Sequence, residues 1–180
     1  MKNVCLSGGC RGADTVFGEC AEAAGHKVVH WSFGGHYTKC KATVLRSDAL
    51  LEADEPLKEA AKLLKRNYPS RYIYTNNLLR RNYYQIKNSE RVYAVSSLIE
   101  HGIVKGGTGW AVAMGIQKHI PEIYFYDQDA KTWYKHDPMH HTDWGWEQIG
   151  MPPEPHGIYT GIGASVLNES GEKAIKDLYA

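Results

Sequence analysis

The chain has 180 residues, 43% hydrophobic and 23% charged, enough to bury one sizeable core without a disulfide framework or structural metal. A net charge of +1 gives no reason to expect the broad electropositive face used on nucleic acid, so no nucleic-acid partner is indicated. No run of about 18 apolar residues suggests a membrane span, and four cysteines without a CxxC pair fit reduced thiols, so the expectation is a soluble, cytoplasmic protein.

In chain order, residues 3–6 predict a short buried strand, and 13–25 a helix with Val16, Phe17 and Cys20 on one face, closed by Gly25. Residues 27–31 predict a second strand, and the resulting βαβ unit implies a parallel sheet, because parallel strands need a crossover. The segment 33–54 gives no clear pattern. Helical spacing returns over 56–68, with Pro56 in the first turn, and over 76–88, ahead of a strand at 91–95. A glycine-rich segment, 102–109, precedes a helix of small residues over 110–118. A strand at 122–126 and a hairpin through Asp127-Gln128-Asp129 follow. Residues 136–156, rich in His, Trp and Pro, read as an irregular surface insertion. A strand and turn over 157–163 and a helix from about 168 to 179 close the chain. These elements predict one α/β domain over 1–180, with a Rossmann-like, doubly wound, mostly parallel sheet and a late hairpin and loop excursion.

Two glycine-rich turns fall after strands of this sheet, where open α/β sheets bind ligands. The first is Ser7-Gly8-Gly9-Cys10-Arg11-Gly12-Ala13-Asp14, which is neither GxGxxG nor a Walker A motif. Its glycines and the helical N–H groups that follow suit a phosphate, Arg11 offers a bidentate charge, and Asp14 could cap the helix or hold a ribose hydroxyl. A tight turn with a solvated arginine is the plainer alternative. The second turn is Lys105-Gly106-Gly107-Thr108-Gly109-Trp110. Gly106, Gly107 and Gly109 with the Thr108 hydroxyl again suit phosphate, while Trp110 could stack on a base or fill the core.

The SGGxxGAD turn together with the later GGTG turn resembles the SLOG superfamily, the Rossmann-like group that includes the DprA and LOG proteins. The resemblance covers the order of elements from residue 3 to about 126, with the Tyr159-Thr160-Gly161-Ile162-Gly163 turn in keeping. It implies a nucleotide or nucleotide-derived ligand, such as an ADP-ribose-like molecule, held in the cleft between the turns, and a homo-oligomer, a dimer by resemblance. LOG enzymes carry PGGxGTxxE, whereas here Lys105 stands for the proline, Trp110 for the threonine and Ala113 for the glutamate. That glutamate is the family's catalytic carboxylate, and Ala113 can neither move a proton nor stabilise an oxocarbenium-like charge. Glu100 and Asp14 are the residues that could replace it.

Arg80-Arg81-Asn82, late in a predicted helix, could add phosphate contacts and a ribose or base contact, or could simply face water at a helix end; spacing does not separate Arg80 from Arg81. His136, Asp137, His140, His141 and Asp143 have metal-like composition but no standard ligand spacing, so no metal or other cofactor is expected. A nucleophilic Cys10 is conceivable beside a helix N-terminus, yet no histidine lies near it in sequence, and it reads as a small residue tolerated by the turn. The expected function is binding of a nucleotide-type ligand by a sensor or sequestering protein. A nucleotide N-glycosidase with another carboxylate, and an interaction module using the Trp/His excursion, are the alternatives.

Overall fold

The computed structural model describes residues 2–180, with the side chain of Asp143 outside the described set. Eight strands form one sheet in the order β3-β2-β1-β8-β4-β5-β6-β7. β1 (Val4–Ser7), β2 (Lys27–Phe33), β3 (Thr43–Leu45), β4 (Arg91–Ser96), β5 (Glu122–Asp127) and β8 (Ile158–Gly163) run parallel. β6 (Thr132–His136) and β7 (Trp146–Ile149) complete one edge as antiparallel strands. The fold is thus a doubly wound, mostly parallel sheet with helices on both faces and a late antiparallel excursion.

From β1 the chain moves outward through β2 to β3, and from β4 outward the other way to β5. Right-handed crossovers in opposite directions put their helices on opposite faces, which opens a crevice at the carboxyl ends of the central strands. α1 (Ala13–Ala23) and α6 (Glu169–Asp177) share one face, where Phe17, Ala21 and Ile175 pack on Tyr93 and Tyr159. On the other face α2 (Ser47–Leu51), α3 (Asp54–Leu64), α4 (Ile73–Ile86) and α5 (Gly106–Gln117) pack, with Leu57, Ile86, Val112 and Ala113 over Val92 and Phe125. Glycine lets α1 lie directly on β8: a Cβ on Gly161 would stand 2.6 Å from the Phe17 ring. That closeness aims the first turn of α1 at the middle of the sheet edge.

Three segments differ from the sequence expectation. The stretch 33–54, without a readable pattern, contains β3 and α2, whose few residues are too short to show a period. α5 begins at Gly106, four residues before the helix expected at 110. Glycine is a poor helix former, but Asn82 Nδ2 donates to the Gly107 carbonyl at 3.1 Å and holds this first turn. Within 136–156 the structure has the edge strand β7 and a 3-10 turn, Asp143–Gly145. Trp146 is buried there and donates from Nε1 to the Gly102 carbonyl at 2.9 Å, so this tryptophan belongs to the core and not to an exposed surface.

Candidate functional site

At the carboxyl ends of β1, β8 and β4 lies a cleft of about 820 Å3. Cys10 and Asp14 line it from the first turn, Gly106, Gly107 and Thr108 from α5, and Arg81 and Asn82 from α4. A second, more open depression of about 800 Å3, between α6 and the β5–β6 hairpin, has neither glycine turn on its walls.

The first turn is filled by the protein's own groups. Asp14, 3% exposed, is itself the anion at the N-terminus of α1. Its Oδ1 accepts from the Gly163 N–H at 3.2 Å and its Oδ2 from Arg81 Nη1 at 3.3 Å. Burial pushes this carboxyl above its usual range, while Arg81 and the backbone N–H groups of Gly163 and Cys10 pull it down. The Ala13 N–H donates to the Ala164 carbonyl at 3.0 Å. Gly8 is glycine because the guanidinium crosses it: an added Cβ would fall 1.3 Å from Arg81 Nη1. Gly12, at φ +84°, lies against the Ala164 and Ser165 backbone, and Gly9 lies against His30 and Thr38. Ser7 is fully buried and donates to the Gly161 carbonyl at 2.7 Å. Arg11 is exposed and outside the lining of the cleft.

The second turn is open. Gly106 and Gly107 are exposed, a Cβ on Gly106 would meet nothing within 4 Å, and α5 carries no acidic residue in its first turn. The first N–H groups of a helix have no intrahelical acceptors, so those of Gly106, Gly107 and Thr108 are available to a ligand. Lys105 stands beside them at the N-cap, exposed, and Arg66 reaches the same cleft. Gly109 serves packing instead, since a Cβ there would lie 2.0 Å from the Val104 carbonyl oxygen. Trp110 fills the core, 6% exposed, and its remaining edge lies in the cleft lining with Leu78, Leu79 and Ile162.

Adjacent residues on α4 point about 100° apart, and this separates the two arginines. Arg81 enters the cleft floor. Arg80 turns to α3, where Nε and Nη2 donate to the Asp54 carboxylate at 2.8 and 3.2 Å. Glu100 sits exposed in a 3-10 turn and does not line the cleft, and Ala113 is wholly buried. Among the described residues no three His, Cys, Asp or Glu side chains form a group suited to a metal ion. No described helix is long and apolar enough to cross a membrane.

One contact corrects the sequence reading of Cys10. Its Sγ lies 3.2 Å from His36 Nε2, although the two are 26 residues apart. The parallel register pairs Ser7 with His30, so the chain beyond β1 and the chain beyond β2 leave the sheet side by side. That pairing was the signal available in the sequence.

No protein-family model matches the chain, and no curated protein matches it. Among solved structures, it is similar to a candidate molybdenum carrier protein from Syntrophus aciditrophicus, at 14% identity and a TM-score of 0.49, covering 98% of this chain and 92% of that one.

Proposed function

We propose that the cleft binds a small phosphorylated ligand of nucleotide type, with its phosphate at the N-terminus of α5 and not at the opening turn. The observation that carries this is the asymmetry of the two helix starts. α1 already holds the Asp14 carboxylate, whereas α5 presents two exposed glycines, no first-turn acid and the Lys105 ammonium to the cleft. Leu78, Leu79, Trp110 and Ile162 offer an apolar wall for a base, and Thr108 a hydroxyl beside the phosphate. The resemblance to SLOG proteins agrees with this ligand class. Binding is the activity proposed, because the Asp14 carboxylate is engaged by Arg81 and Glu100 stands away from the cleft.

A thermal-shift screen of the full chain against nucleoside mono- and diphosphates, ADP-ribose and inorganic phosphate tests the reading. A ligand at a hundred times its dissociation constant stabilises by about 2.7 kcal/mol, which raises the melting temperature by several degrees. Gly107→Asp sets a carboxylate in the seat and should abolish the shift, while Arg11→Ala should preserve it. No shift with any phosphate compound, or a shift lost with Arg11→Ala and kept in Gly107→Asp, overturns the assignment.

A further inference from the structure

The wall of the cleft also carries a thiol furnished with a base. Besides the 3.2 Å approach of Cys10 Sγ to His36 Nε2, His36 Nδ1 lies 2.9 Å from Ser32 Oγ. The tautomer that accepts the thiol proton at Nε2 donates from Nδ1 to Ser32. Ser32 is buried, and the imidazole stacks on Phe33 with ring centroids 4.9 Å apart and planes 13° apart, so the ring is held in place. Arg81 Nη2 donates to the same sulfur at 3.2 Å, where it can stabilise negative charge developing on it. A nucleophile in reach of a base, and the base oriented by a third group, is the arrangement of covalent catalysis. The cleft also holds a second pointer to a ligand: Arg81 is 3% exposed, and its Nε has no hydrogen-bond partner among the described residues.

We propose that Cys10 is a nucleophile toward acyl esters bound in the cleft, with His36 as its general base and Ser32 positioning the imidazole. As Sγ attacks the carbonyl carbon, the thiol proton passes to His36 Nε2. The bond from carbon to the alcohol oxygen then breaks, His36 returns the proton to that oxygen, and the acyl group remains on Cys10 as a thioester. Water, deprotonated by His36, attacks the thioester and releases the carboxylic acid and the free thiol. The proposal shares with the binding reading only that the cleft admits a small molecule.

The charged and titratable groups facing the pair are Arg81 from α4 and Asp14 from α1. Burial, with Arg81 adding to it, lowers His36 to about 4, and burial raises the Cys10 thiol against the pull of Arg81. Around neutrality both partners are therefore uncharged, and the proton leaves sulfur only during attack. An unassisted thiol gains reactivity about tenfold per pH unit below its pKa, whereas this pair should react at a nearly constant rate from about pH 5.5 to pH 8.

The test treats the full chain with p-nitrophenyl acetate and follows acetylation by intact mass and peptide mapping. Cys10 should acetylate ahead of Cys5, Cys20 and Cys40, with the flat pH profile. His36→Ala and His36→Gln, each checked for folding by circular dichroism, should slow the step on the order of a hundredfold and restore the steep profile of a free thiol. Acetylation no faster at Cys10 than at Cys20 and Cys40, a steep profile in the unmodified chain, or folded His36 variants that react at full rate would each overturn the proposal. This ester carries no phosphate, so the result is independent of whether α5 binds one.

Discussion

Replacing Arg81 by methionine keeps an unbranched stem of the side chain but not the guanidinium, and so removes the side-chain cation that, among the described residues, pairs with Asp14. The carboxyl left behind is 3% exposed. It can remain charged and unpaired, which costs about 3–5 kcal/mol for a broken buried pair, or take up a proton. Protonation sets a ceiling: from the ordinary value of 3.8 to pH 7 is about 3.2 pH units, or roughly 4.4 kcal/mol at 1.36 per unit. At pH 5 the same ceiling falls to roughly 1.6 kcal/mol. The sign follows from linkage. A carboxyl raised by burial binds its proton more tightly in the native state, so its stabilising contribution is complete below the unfolded pKa and is lost as pH rises through the folded one. Arg81→Met should thus be far less damaging at pH 5 than at pH 7, with the gap to the parent chain narrowing by up to about 2.7 kcal/mol. Urea unfolding at the two pH values measures the gap. Asp14→Asn and the double variant close a cycle in which the two losses should fall short of additivity by about 1–3 kcal/mol. An equal gap at both pH values together with an additive cycle would refute the reasoning that Asp14 is the resident anion of the first turn.

Gly161→Ala drives a methyl group into the Phe17 ring, against which β8 and α1 have no slack, and should cost about 1–3 kcal/mol in urea unfolding; an unchanged midpoint would contradict the packing. His36, with an ordinary value of 6.5 lowered to about 4, contributes stability that is complete above pH 6.5 and is lost as pH falls toward 4. His36→Gln has no ring to protonate, so thermal melts should show less acid destabilisation across that window than in the parent chain. Trp146→Phe removes the hydrogen bond to the Gly102 carbonyl and should destabilise the chain by about 1–2 kcal/mol. Protection of the Gly102 region from proteolysis should fall with it.

Most elements were legible because each carries a local signal. The small residues after Gly106, the alanines of α1 and the β-branched strands report their own periods. The division of labour between the glycine turns was not legible, since glycine spacing says that something approaches closely but not what. At Gly8 the visitor is a guanidinium from α4, 73 residues downstream. Nor could spacing distinguish Arg80 from Arg81, because both lie on a helix whose buried residues are mostly polar: beside Leu79 and Ile86, Asn76, Arg80, Arg81, Asn82 and Gln85 are all inside. Hydrophobic periodicity finds the helix through Leu79 and Ile86 but has no means of marking its buried polar positions. Cys10 and His36 escaped for a related reason, since their meeting depends on the pairing of β1 with β2 and not on any short motif.

The most direct test of the ligand seat is a titration of backbone amide resonances with inorganic phosphate and with an adenine nucleotide. Saturable shifts centred on Gly106, Gly107 and Thr108, with the amides of Arg11, Gly12 and Ala13 nearly unmoved, are expected from an α5 seat and an α1 start closed by Asp14 and Ala164. Saturable shifts centred on residues 8–13, with 106–108 still, would contradict it.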